Sequence, residues 1–85
     1  MSIIIKPTSV IWEFKGFDDG YLFKKDNVWR KLSLINCSAC EYAYKRNMDE
    51  ILTHNGEYEF NLINMTMWVN TNDFISPYVQ IRRAL

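Results

Sequence analysis

The stretch that decides the fold is Gly56-Glu57-Tyr58-Glu59-Phe60-Asn61-Leu62-Ile63-Asn64-Met65, entered through His54-Asn55. Tyr58, Phe60 and Leu62 alternate with Glu57, Glu59 and Asn61, a period of two that gives a strand one apolar and one polar face. Asn55-Gly56 just upstream tolerates the positive φ angles of a tight type I′ turn, so a β-hairpin is expected there. The alternation continues through Met65-Thr66-Met67-Trp68-Val69 and sets Trp68 on the face opposite Met67. Weaker turn signals lie at Asp18-Asp19-Gly20, Asp26-Asn27, Asn70 to Asp73 and Ser76-Pro77.

Working outward, one segment has a helical period. Between Asn36 and Asn47, residues Cys37, Cys40, Ala43 and Tyr44 are three or four apart and share a face, with Asn36 placed to cap the N-terminus and Lys45 and Arg46 in the last turn. Upstream, Val10, Trp12 and Phe14 alternate with Ile11 and Glu13, while Pro7 and Gly16 interrupt the run, so one or two strands are expected within residues 1–19. The expected fold class is α+β, with five to seven short antiparallel strands forming a curved sheet, a half-barrel, around one helix.

Composition narrows the function. A chain of 85 residues buries only about 60 to 65% of its unfolded surface, which limits it to one thin core. Three Trp, five Tyr and five Phe offset the small size by removing large areas from water. Ten basic and ten acidic residues cancel, which disfavours binding to a DNA or RNA backbone. The Arg82-Arg83 pair then reads as a solvated end. Two cysteines are too few for a disulfide scaffold, and no apolar run approaches the roughly 18 residues of a membrane helix. A soluble intracellular domain without membrane association is expected.

No catalytic or metal constellation stands out. Cys37-Ser38-Ala39-Cys40 is a CxxC and His54 follows, but a structural zinc takes four protein ligands and no second pair is present. The two cysteines are read as buried helix-face residues, His54 as an exposed hairpin residue, and Glu57 and Glu59 as carboxylates on a solvent face. The chain is therefore expected not to be an enzyme and to need no cofactor. Trp29 is read as core, and Trp68 as the first candidate for a protein contact.

From Tyr21 onward the order of landmarks is an aromatic pair, Trp29, a helix carrying Glu41-Tyr42-Ala43-Tyr44, a hairpin, the Tyr58 to Met65 motif and a closing Ile81-Arg82-Arg83. This order resembles the WWE domain over roughly residues 20 to 83, with Tyr21 at the first Trp position, Trp29 at the second and Glu41 at the family's Glu. Residues 1–19 fall outside the match and are set apart as an N-terminal extension, leaving 20–85 as the WWE-like domain. The resemblance implies a noncatalytic module of ubiquitin ligases and ADP-ribosyltransferases, some members of which recognise ADP-ribose or the iso-ADP-ribose unit of its polymer. Its partners would be ADP-ribose, an ADP-ribosylated protein, or a protein of the ubiquitin or ADP-ribosylation systems.

Carried over by position, the resemblance gives a candidate pocket of Phe23, Arg30, Tyr58, Met67 and Val79. Phe23 and Tyr58 match the pocket aromatics that would sandwich a purine, and Arg30 replaces an aromatic with a group that reaches a pyrophosphate. Met67 stands where binding members carry Gln, and Val79 where they often carry Arg. Loss of one charge-assisted hydrogen bond of about 1.5 to 3 kcal/mol and a neutral one of about 1 kcal/mol would weaken binding by two to three orders of magnitude. Two readings follow. In one the pocket is a degenerate ADP-ribose reader; in the other, apolar side chains fill it and the domain binds protein.

Overall fold

The computed structural model describes residues 6–18, 23–53, 58–69 and 78–84, the side chains of 18 and 23–25 excepted. The Asn55-Gly56 turn, His54, Glu57, Tyr21 and the turn signals at 19–20, 70–73 and 76–77 lie outside the described residues. In chain order the elements are β1 (Ile11–Asp18), β2 (Phe23–Lys31), α1 (Leu34–Lys45), β3 (Glu50–Leu52), β4 (Tyr58–Asn61), β5 (Thr66–Val69) and β6 (Tyr78–Ala84). The strands form one antiparallel six-stranded sheet in the order β2-β1-β6-β5-β4-β3, an α+β architecture with a single helix among the described residues.

β6 joins the two halves of this sheet. Its first residues pair with β5 (Thr66 opposite Gln80, Met67 opposite Val79, Trp68 opposite Tyr78), and its last pair with β1 (Phe14 opposite Ile81, Glu13 opposite Arg82, Trp12 opposite Arg83). Residues 11–18, from the segment that the sequence sets apart, thus supply a strand paired on both sides within the sheet. Proline and glycine flank or interrupt the run without preventing this. Gly16 lies buried within β1, where its carbonyl accepts a hydrogen bond from the Arg30 guanidinium.

Period two fixes which side chains enter the core. On β4 and β5, Phe60, Met67 and Val69 face inward, and on β6 Val79 and Ile81 do. They join Trp12, Leu32, Cys37 and Cys40 in one cluster, against which Val10, Phe14, Ile51, Tyr58, Leu62 and Met65 pack. The fully buried tryptophan is Trp12. Trp29, expected in the core, is only half-buried; it sits opposite Lys15 on the other face of the sheet, with the Lys15 and Arg82 cations over its ring at 5.8 and 4.2 Å.

The helix begins two residues before the expected start. Ser33, not Asn36, is the N-cap: its hydroxyl accepts the Asn36 N–H at 3.2 Å, and Asn36 is a buried residue of the first turn. Leu34 and Ile35 are apolar yet largely exposed, so they broke the amphipathic pattern by which a helix start is read. The C-terminus closes at Lys45 with a Schellman arrangement: Asn47 takes φ 54°, its N–H donates to the Tyr44 carbonyl, and Met48 N–H donates to the Ala43 carbonyl at 2.9 Å. Cys37, Cys40 and Ala43 are buried as the spacing predicts, whereas Tyr44 is about half exposed.

β3 and β4 pair as a hairpin, with Ile51 opposite Phe60 and Thr53 bonded across to Tyr58. Leu62, expected to extend the strand, instead begins the turn between β4 and β5. There Asn61 Oδ1 accepts the N–H groups of Ile63 and Asn64 at 3.0 and 2.8 Å, and Met65 takes φ 53°.

Candidate functional site

Among the described side chains of the expected pocket, Arg30, Tyr58, Met67 and Val79 do not converge on an open cleft. Met67 and Val79 oppose each other across β5 and β6, are 1% and 3% exposed, and belong to the same cluster as Phe60 and Trp12. Tyr58 packs partly buried against that cluster, its ring 6.3 Å from Phe60 and tilted by 47°. Arg30 lies on β2, separated from β5 in the strand order by β1 and β6. Its guanidinium is engaged locally, 2.8 Å from the Asp26 carboxylate, on the Gly16 carbonyl, and over the Phe17 ring at 5.1 Å. Asp26 also accepts the Val28 N–H at 2.9 Å, within the stretch where the β1–β2 register slips between Lys15 and Phe17. The Val28 hydrogen bond and Arg30 together hold the Asp26 carboxyl below the usual carboxylate range. Phe23 opens β2 opposite Asp18, and its side chain lies outside the described residues.

A buried polar network lies where the helix meets the sheet. Glu41 is 3% exposed and accepts the Trp12 indole N–H at 3.0 Å and two hydrogen bonds from Arg83 at 2.8 and 2.9 Å. Arg83 also lies over the Tyr44 ring at 4.9 Å, and Tyr44 meets Trp12 edge-on at 5.8 Å. The Arg83 hydrogen bonds, ahead of the Trp12 indole, hold the Glu41 carboxyl below its ordinary value of 4.5 against the opposing effect of burial. Arg83 is thus no solvated end. Val79, Ile81 and Arg83 alternate inward along β6, and Glu41 is one helical turn beyond Cys37; these two periods together place the pair inside. No buried side-chain polar atom of the network lacks a partner, which gives it the character of a structural clamp.

Cys37 and Cys40 are free and buried. Cys37 Sγ accepts the Trp12 backbone N–H at 3.3 Å, and burial raises the Cys40 thiol far above its ordinary range. These thiols pack between helix and sheet, and a group in this state is a poor nucleophile. Among the described residues there is no group of three metal-capable side chains, and no helix is long and apolar enough to cross a membrane.

The face of the sheet turned away from the helix carries a depression of about 250 Å³ lined by Glu59, Asn61, Thr66, Trp68 and Tyr78. Glu59 stands opposite Trp68, and Trp68 opposite Tyr78, so three side chains form one row across β4, β5 and β6. Trp68 occupies the face opposite Met67, and Tyr78 is 54% exposed. Comparison with protein-family models, curated proteins and solved structures gave no match.

Proposed function

We propose that this chain is a noncatalytic recognition domain on a WWE-like plan, a half-open sheet around one helix, acting inside the cell in ubiquitin or ADP-ribose signalling. Its nucleotide cavity is closed, and binding has passed to a protein surface. The observation that carries this choice over an ADP-ribose reader is the burial of Met67 and Val79 side by side in one row with Phe60, in the cluster against which Tyr58 packs. An anionic ligand seated there would need paired donors, whereas these positions present only thioether and methyl groups. Arg30, the cation assigned to the pyrophosphate, is already paired with Asp26. Titration calorimetry with ADP-ribose and iso-ADP-ribose tests the proposal. No heat of binding is expected at millimolar ligand, and saturable binding at micromolar concentration would restore the reader.

A further inference from the structure

We propose that the depression on the outer face of β4, β5 and β6 is a binding site for an arginine side chain presented by a partner protein. This rests on the reading of the domain as a protein-recognition module and names the chemistry of the contact. Four aromatic rings elsewhere in the described structure lie under cations. Trp29 lies beneath Lys15 and Arg82, Tyr42 beneath Arg46 at 3.9 Å, Tyr44 beneath Arg83, and Phe17 beneath Arg30. Trp68 and Tyr78 have no such cation among the described residues, although they are adjacent and accessible from solvent.

The second observation is Glu59. Like Asp49 and Glu50 it makes no ion pair among the described residues, whereas Glu13, Asp26 and Glu41 are each bound to an arginine; unlike Glu50, which stands opposite Asn61, it faces Trp68 directly across the β4–β5 ladder. A ring face next to an unpaired carboxylate is complementary to a cation, because the quadrupole of the ring and the charge of Glu59 attract the same sign. The same arrangement repels phosphate, and among the described residues no Lys or Arg lines the depression. Arginine is favoured over lysine because its planar fork stacks on an indole while its edge N–H groups reach a carboxylate, with the Thr66 hydroxyl as a further acceptor. Four of the five ring–cation contacts among the described residues use guanidinium.

The test is a ¹⁵N-correlation NMR titration of the full chain with a capped Gly-Gly-Arg-Gly-Gly peptide at low salt, alongside its citrulline and lysine counterparts. Saturable movement of the Trp68 indole signal and of the Glu59 and Tyr78 amides is expected with arginine, and binding about ten-fold weaker with the neutral citrulline peptide. Glu59→Gln should weaken arginine binding about five-fold while leaving the spectrum of the core unchanged. A silent Trp68, an equal response to citrulline, or an unaffected E59Q variant would overturn the proposal, and equal binding of the lysine peptide would overturn the assignment to guanidinium. The closed-cavity reading fails separately, through ADP-ribose-dependent movement of the Tyr58, Met67 and Val79 signals.

Discussion

The two halves of the sheet are held by different forces. In the half formed by β2, β1 and the end of β6, the described carboxylates are each paired with an arginine: Glu13 with Arg82, Asp26 with Arg30, and Glu41 of the helix with Arg83, while Trp29 lies under two cations. In the half formed by the start of β6, β5, β4 and β3, the inner face is Phe60, Met67, Val69 and Val79, and among the described residues the outer face leaves Glu59 and Trp68 without a cation. One half pairs its described carboxylates internally. The other is stabilised by apolar burial and, among the described residues, holds the Glu59 carboxylate beside an aromatic ring without an ion pair, the arrangement on which the proposed arginine site rests.

The largest effect that separates the halves should come from Phe60→Ala. Phe60 is wholly buried, and its removal leaves a cavity between β4 and the helix-side core, so a loss of about 3 to 5 kcal/mol in urea-denaturation stability is expected. A loss below about 1 kcal/mol would mean that the apolar half does not depend on this packing.

Glu41→Gln should come next, at about 1 to 3 kcal/mol at neutral pH, because it strips the charge from hydrogen bonds in a buried site. Its sharper signature is in pH. The Glu41 carboxyl is held below 4.5 in the folded state, so its contribution is fully present above its ordinary range and is lost as pH falls through the lowered folded value. Thermal melts of the parent chain should therefore decline below about pH 4.5, and those of E41Q should decline less steeply. Parallel acid limbs would remove Glu41 as their origin.

The smallest effect should belong to Arg82→Ala. The Glu13–Arg82 pair is short at 2.8 Å, but Arg82 is about half exposed, so its loss should change stability by less than about 1 kcal/mol. Trp29 fluorescence should nevertheless shift as the cation leaves its ring. A large destabilisation would show that the charged half is held together at its surface and not by the Glu41 clamp.

Local period was enough to read much of this molecule. The alternation of Tyr58 to Asn61 and of Thr66 to Val69 set the inward and outward faces correctly, including Trp68 opposite Met67, and the spacing of Cys37, Cys40 and Ala43 located the helix. What local period does not carry is adjacency between distant segments. That Met67 meets Val79, and that Trp12 and Arg83 converge on Glu41, depends on β6 lying between β5 and β1, which no short window encodes. The helix start was obscured by the exposed Leu34 and Ile35, and the strand Ile11–Asp18 by its glycine. Trp29 was misread because large aromatic area ordinarily implies burial, whereas here guanidinium and ammonium groups cover the ring. The outer depression needs three strands in register; the alternation puts Glu59, Asn61 and Trp68 on outer faces, but nothing local brings Tyr78 beside them.

The pairing of β1 with β6 bears on how the chain reaches this state. Glu13 and Arg82 meet across the ladder although they are 69 positions apart, so the central pairing of the sheet closes a long loop that encloses every remaining strand and the helix of the described structure. Such a closure costs entropy before its contacts return any free energy, and it slows the search for the native topology. The β3–β4–β5 meander can zip up locally and early, whereas β1 must wait for β6. During synthesis on the ribosome the first strand would therefore emerge long before its central partner, with the large apolar ring of Trp12 uncovered in the meantime.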